Sequence, residues 1–331
     1  MGSTRLGFDI GSSSLKIAVV QKKGVRVEEV RLPENLVDDN GVTLPHAFVA
    51  FLKQTKRELR LPGAPAALVL PPNQSICRFV TMPPMTTAQL MMNLPYEFSD
   101  FIQGAADQYF CDYAVCEASA EEEGQEEGAQ PGIPMMAAAA AKQTLAEYAR
   151  MFSRAGIRLK TILPQEMALI QLAGAQKGEE EFFFIDLGHQ YTRIIAVLRD
   201  RVQATRQIAF GGRNIDAAAA QELGVDPFLA ATYKMSNYQN ILAAPAITDL
   251  CDRIAVEILK VINFYQFTYR ANQLQGIYLV GGGAALAPLR TAIENTVDMP
   301  LLDADSLLPG AGEAAAPGVF AAGAAMGGKA K

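Results

Sequence analysis

An α/β fold built from two similar lobes is what this sequence predicts, and three observations predict it. The first is an ungapped internal repeat: FDIGSSSLKIAVVQKKGV, residues 8–25, lies over IDLGHQYTRIIAVLRDRV, residues 185–202. Asp9 then matches Asp186, Gly11 matches Gly188, Lys16 matches Arg193 and Val25 matches Val202. The second is that strand-like and helix-like segments alternate through both halves of the chain. The third is room for two sizeable cores, since the chain has 331 residues, 50% of them hydrophobic and 19% charged.

Taken in order, each copy of the repeat reads as a short apolar strand ending in Asp-x-Gly, a polar turn, a second apolar strand and a charged turn. A polar stretch with Asp38, Asp39, Asn40 and Gly41 follows the first copy, then an amphipathic helix from Ala47 and a strand AALVL from Ala66. The Pro- and Met-rich segment VTMPPMTTAQLMMNLPYEF leads through a helix to the strand DQYFCDYAVCEA. An acidic, Gly-rich tract from Glu117 cannot bury apolar area and reads as a solvated loop. MMAAAAA is the next strand, and the helix AKQTLAEYARMFSRAG stops at Gly156. Strand RLKTIL, helix QEMALIQLAGA and the charged linker KGEEE lead to the second hairpin, after which RQIAFGGRNIDAAAAQELG reads as strand, glycine turn and helix. In the long helix from Ile247, the residues Leu250, Ile254, Ile258, Val261, Ile262 and Tyr265 share one face, the pattern of a core stripe. GIYLVGGGAALAPLRTAIENTV is a buried strand, three glycines and a helix with Pro288 near its start. The tail fits a small-residue helix that frays at Gly327.

The bends carry the chemistry. A glycine after a strand lets the backbone turn tightly and approach a ligand, and Gly11 with Ser12, Ser13 and Ser14 could line a pocket for phosphate oxygens. Lys16 on the returning strand could offset phosphate charge. Asp9 and Asp186 end their strands, where paired carboxylates could hold a hydrated Mg²⁺, a hard ion that favours oxygen ligands and phosphates.

Composition excludes other classes. A net charge of −6 with scattered basic residues argues against nucleic acid as a partner. No apolar run is long enough to span a bilayer and the first residues lack a signal-peptide pattern, so the expected location is the cytoplasm. Cys77, Cys111, Cys116 and Cys251 form no Cys-x-x-Cys pair and read as buried thiols. With only His46 and His189 present, a histidine-based zinc site is not expected.

Asp-hairpin, Asp-hairpin and strand-Gly-Gly-Gly-helix, in that order, resemble the actin-like ATPase superfamily of sugar kinases, DnaK-type chaperones and FtsA. DIGSSSLK, RFVTMPPMTTAQLMMNLPYEF, the stretch from MMAAAAAKQ to PQEMALI, RQIAFGGRNID and the helix before YLVGGG are similar to the PilM family of type IV pilus assembly. The resemblance implies two RNase H-like lobes around a nucleotide cleft, with an FtsA-type subdomain inserted in the first lobe. The implied boundaries are residues 1–64 and 161–177 for the first lobe and 65–160 for the inserted subdomain with its acidic loop at 117–130. The second lobe is residues 178–331, ending in the C-terminal helix.

The resemblance also implies the ligand set. ATP and Mg²⁺ are expected, with Asp9, Gly11, Ser12, Ser13, Ser14, Lys16, Gly188, Thr192, Gly212, Lys234, Gly281, Gly282 and Gly283 at the nucleotide. Asp9 and Asp186 would hold the metal through water, and Asp186 and Gln165 are the candidate catalytic groups, Glu166 lying beside the latter. Three departures stand out: Ala231 replaces a carboxylate expected near Lys234, and His189 and Tyr191 are bulky residues in the second phosphate loop. A Gln at position 165 can orient water but is a poor base. The implied role is therefore a scaffold with slow or no ATP hydrolysis, at most a weak ATPase. Its implied partner is the cytoplasmic N-terminal segment of a PilN-like inner-membrane protein, which would recruit it to the inner face of the membrane. That segment would dock between the first lobe and the subdomain, near Met82, Met85, Met91 and Met92. The pilus motor ATPase is a further expected partner. Two alternatives are a small-molecule kinase on the same fold and a self-associating filament former like FtsA.

Overall fold

The computed structural model describes residues 4–38, 41–117, 132–174, 181–198, 200–269 and 274–327. The chain divides into two compact units, the first of residues 1–177, 199–203 and 320–331, the second of residues 178–198 and 204–319.

In chain order the first unit contains strands β1 (Arg5–Ile10), β2 (Ser14–Gln21), β3 (Gly24–Arg31), the two-residue β4 (Val37–Asp38) and β5 (Gly41–Val42), and β6 (Ala66–Leu70). β7 (Ile76–Met82), β8 (Tyr109–Val115), β9 (Ile133–Ala141) and β10 (Leu159–Pro164) follow. One five-stranded sheet has the order β10-β6-β1-β2-β3. β1 is antiparallel to β2 and parallel to β6, and β6 is parallel to β10. Central β6 is buried along its whole length, as the apolar run AALVL demands, while edge strand β3 alternates and carries Arg26, Glu28, Glu29 and Arg31. Helices Pro45–Glu58 and Lys142–Arg154 supply Phe48, Leu52, Met151 and Phe152 to the core of this sheet. Phe152 meets Phe8 edge to face with ring centroids 5.2 Å apart.

A three-stranded sheet of order β7-β9-β8 forms the inserted subdomain. The alanine-rich β9 lies in its centre, where small side chains let Leu90, Leu94 and Phe98 pack over it. These three come from helix Thr87–Asn93 and the 3₁₀ turn Leu94–Phe98, within the Pro- and Met-rich stretch. Thr86 caps the helix, its hydroxyl accepting from Gln89 N–H at 3.3 Å. The expected limits 65–160 are too wide. Ala66–Leu70 and Leu159–Pro164 are strands of the five-stranded sheet, and helix Lys142–Arg154 packs on that sheet's core, so the subdomain's own sheet runs only from Ile76 to Ala141. Of the acidic loop 117–130, only Glu117 lies within the described residues.

The second unit is built on β11 (Glu181–Leu187), β12 (Thr192–Leu198), β13 (Arg201–Ile208, its first three residues counted with the first unit), β14 (Gly276–Val280) and β15 (Leu301–Leu302), in the order β13-β12-β11-β14-β15. Helix Pro245–Thr268 buries Leu250, Ile254, Ile258, Ile262 and Tyr265 against it, with Tyr265 edge to face on Phe183 at 5.1 Å. Val261, expected in the same stripe, is only partly buried.

The C-terminal helix, Ala315–Met326, was expected wholly in the second lobe, yet its residues from Phe320 onward belong to the first unit. Two glycines explain this. A Cβ on Gly7 would run into the Ala321 carbonyl, and one on Gly323 into the Ala168 carbonyl, so backbone meets backbone at both places. Fraying beyond Gly327 lies outside the described residues.

Candidate functional site

The repeat seen in the sequence is also a repeat of geometry. Asp9 pairs across the hairpin with Lys16, and Asp186 with Arg193. Gly11 N–H donates to Ser14 O at 3.0 Å, and Gly188 N–H to Tyr191 O at 3.1 Å. A Cβ on Gly11 would sit 3.1 Å from Ser14 O, and one on Gly188 2.8 Å from Tyr191 O, so each bend needs its glycine for the same reason.

In the first unit β1, β6 and β10 are parallel, which places Asp9, at the end of β1, and Gln165, just after β10, on the same carboxyl edge of the sheet. Ligands of open α/β sheets bind at that edge. Gln165 and Glu166 open helix Gln165–Ala173 and are both buried, as is Asp9. The Lys16 ammonium lies over Gly11, 2.9 Å from where a Cβ would be. Glu29, unnoticed in the sequence, faces this group from β3: Ser14 Oγ donates to Glu29 Oε1 at 2.6 Å and Lys16 Nζ lies 3.9 Å from the same oxygen. Ser14, expected to face phosphate, therefore gives its hydroxyl proton to a carboxylate. Ser12 is half-buried and Ser13 exposed, the Ser13 carbonyl accepting from Leu32 N–H at 3.0 Å.

In the second unit Asp186 pairs with Val280 in parallel register, so Gly281 emerges beside it. Gly281 has φ +81°, and a Cβ there would strike Asp186 Oδ1; one on Gly283 would come 2.8 Å from the Leu187 carbonyl oxygen. A Cβ on Gly282 would meet nothing within 4 Å. The three glycines thus wrap the Asp186–Leu187 backbone with the middle one facing open space. A second glycine turn closes on the hairpin from the other direction. Gly212 N–H donates to Gly188 O at 3.0 Å and Arg213 N–H to His189 O at 2.7 Å, while Thr192 Oγ1 donates to Phe210 O at 2.9 Å. Gly211 allows this approach, because its Cβ would lie 2.6 Å from His189 O.

Lys234 reaches the same place from helix Pro227–Met235: a Cβ on Gly212 would be 3.7 Å from its Nζ. Its partner is Asp216 on helix Gly212–Leu223, with Nζ 2.7 Å from Oδ1. His189 Nε2 lies 3.2 Å from the other oxygen, Oδ2. Position 231 is alanine, and the carboxylate beside Lys234 comes from the neighbouring helix. Burial alone would raise the Asp216 carboxyl; the His189 hydrogen bond and the Lys234 charge outweigh it and hold the group below its ordinary value. The bulky loop residues also have partners, His189 on Asp216 and Tyr191 with the Arg213 guanidinium 5.7 Å from its ring centroid. A signal for Asp216 was present in the sequence. With Gly212, Ile215, Ala219 and Ala220 it forms the inward stripe of its helix, and an acid on an apolar stripe calls for a buried partner.

Among the described residues no group of three His, Cys, Asp or Glu side chains is placed to hold a metal. Asp9 and Asp186 are single carboxylates in separate units.

The family model described as type IV pilus assembly protein PilM matches residues 7–306. The chain belongs to the PilM family. Its fold is that of the actin-like ATPases, with the subdomain inserted in the first unit. The PilM–PilN type IV pilus biogenesis complex has a chain similar to this one with TM-score 0.78 and 20% identity, covering 97% of each. Ethanolamine utilization protein EutJ from Carboxydothermus hydrogenoformans is similar with TM-score 0.59 and 14% identity over 98% of this chain and 89% of that one. PilM membership agrees with the order of the hairpins and the glycine loop. No helix among the described residues is long and apolar enough to cross a membrane.

Proposed function

We propose that this PilM-family protein is an ATP-binding scaffold of pilus assembly that docks the cytoplasmic N-terminal segment of a PilN-like inner-membrane protein. The observation that carries the nucleotide part is the convergence of two glycine loops and a lysine on the hairpin of the second unit. Residues 281–283 wrap Asp186, residues 211–212 cap the hairpin, and Lys234 stands over Gly212. Glycine backbone with a lysine ammonium is a donor set for a phosphorylated ligand. The Asp9 bend of the first unit repeats this glycine-and-lysine arrangement with Gly11 and Lys16, and Mg²⁺ would be held by water between a carboxylate such as Asp186 and phosphate. When bound, ATP would supply a reactive phosphoanhydride. Gln165, at the carboxyl edge with Asp9, is an amide and could hold a water without taking its proton, so turnover below about one per second is expected.

The partner reading rests on family membership and on the similar PilM–PilN complex. In the first unit it has apolar surface to use: Met92 is 74% and Tyr96 71% exposed, with Met91 half as accessible, on the helical segment of the subdomain. Met82 is buried and Met85 half-buried, so these two serve packing. Membrane recruitment would come through that partner, and contact with the motor ATPase belongs to the same reading. Calorimetric titration with a peptide of the partner's N-terminal segment, with and without Mg-ATP, tests it. Binding that Met92→Asp weakens is expected; no heat in either condition would sink the partner reading.

A further inference from the structure

Asp216 and His189 stand outside the residues the sequence assigns to a ligand, yet they determine where one of those residues points. Lysine carries a flexible four-carbon stem, so an ammonium is poorly placed unless something fixes it. Lys234 is fixed. Its side chain is 10% exposed, and its Nζ lies 2.7 Å from Asp216 Oδ1 and beside the bare α-carbon of Gly212. Asp216, 6% exposed at its side chain, is itself held on its other oxygen by His189 Nε2 at 3.2 Å. His189 belongs to the hairpin loop, and that loop is tied to the start of helix Gly212–Leu223 by the bonds from Gly212 and Arg213. A chain of contacts therefore runs from the second hairpin through His189 and Asp216 to Lys234. It returns to Gly212, which the hairpin also holds.

Only one of the three ammonium donors is needed for the Asp216 contact, so Lys234 can hold a second oxygen while staying paired. An ammonium buried without its carboxylate would be desolvated and unpartnered. We infer that Asp216, oriented by His189, is a positioning residue that presents Lys234 to the phosphate or sugar oxygens of a nucleoside phosphate. This rests on the nucleotide reading above.

Calorimetric titration with Mg-ATP of the full chain and four variants tests it: Lys234→Met, Asp216→Asn, the double variant, and His189→Asn. Melting curves of each check folding. Loss of a charge-assisted contact should weaken binding by about tenfold in Lys234→Met and to a similar degree in Asp216→Asn. Because Asp216 acts through Lys234, the double variant should bind no worse than Lys234→Met alone. A purely structural role would instead give unchanged binding in Asp216→Asn or losses that multiply in the double variant, and either overturns the inference. Tighter binding in Asp216→Asn also overturns it, since the carboxylate would then only repel phosphate. If Asp216→Asn does not melt cooperatively, His189→Asn decides, because it leaves the Asp216–Lys234 pair in place. A loss of about threefold supports the inference and unchanged affinity overturns it. Absence of binding in the parent chain itself would remove the nucleotide reading, an outcome separate from parental binding that the variants leave untouched.

Discussion

Replacing each glycine of the 281–283 loop by alanine separates glycines needed for the fold from one needed for a ligand. At Gly281 the φ of +81° is strained for alanine, and the added Cβ would strike Asp186 Oδ1. At Gly283 the Cβ would sit 2.8 Å from both the Cβ and the carbonyl oxygen of Leu187, so strand β11 would have to shift. Backbone strain and overpacking each cost about 1–3 kcal/mol, and a domain of this size loses about 3 °C in Tm per kcal/mol. Gly281→Ala and Gly283→Ala should therefore melt roughly 3–9 °C below the parent. Gly282 is different, since its Cβ would enter open space. Gly282→Ala should change stability by less than about 0.5 kcal/mol, yet weaken Mg-ATP binding if the nucleotide approaches that backbone. Differential scanning calorimetry and a titration on the same samples give both readouts. Equal Tm losses at all three positions would refute the geometry, and Gly282→Ala with unchanged stability and unchanged affinity would refute the ligand's approach.

Burial pushes the Cys251 thiol up to about 11, ahead of a further rise from Asp252, so in the native protein at pH 8 Cys251 should resist a disulfide reagent while half-exposed Cys77 reacts first. Tyr148 is pushed up to about 12, chiefly by burial. Its phenol ionises near pH 10 when unfolded and resists ionisation when folded, so stability should fall between about pH 10 and 12, and Tyr148→Phe should flatten that loss in melts taken across the range. Asp216 has the opposite sign. Its folded value is lowered, so its contribution is present above the unfolded value near 4 and is lost as pH falls through the folded one; Asp216→Asn should make the acid limb of the Tm profile shallower. Phe152→Ala removes a fully buried ring packed on Phe8 and should cost about 3–5 kcal/mol by urea unfolding.

Much of this was legible in the sequence because short-range patterns carry it. The ungapped repeat announced two hairpins whose cross-strand partners, Asp9 with Lys16 and Asp186 with Arg193, repeat in the structure. GIYLVGGG read as a buried strand followed by a glycine loop, and β14 with Gly281, Gly282 and Gly283 after it has that form. What stayed hidden depends on tertiary pairing. Glu29 became the partner of Ser14 only because β3 lies beside β2, and Asp216 the partner of Lys234 only because two consecutive helices pack together. The subdomain limits were misjudged because AALVL reads as a strand without saying which sheet it joins. The C-terminal helix was misassigned because small residues give no directional signal until Gly7 is seen to meet Ala321 and Gly323 to meet Ala168.

Hydrogen exchange with and without Mg-ATP, read by mass spectrometry, tests the central claim most directly. If the glycine loops hold a nucleotide, exchange should slow at residues 9–16, 186–192, 210–216 and 281–285, with the subdomain core of Leu94, Phe98 and Met135 unchanged. Exchange that is the same in both conditions at all four segments, or slowing confined to other regions, would contradict it.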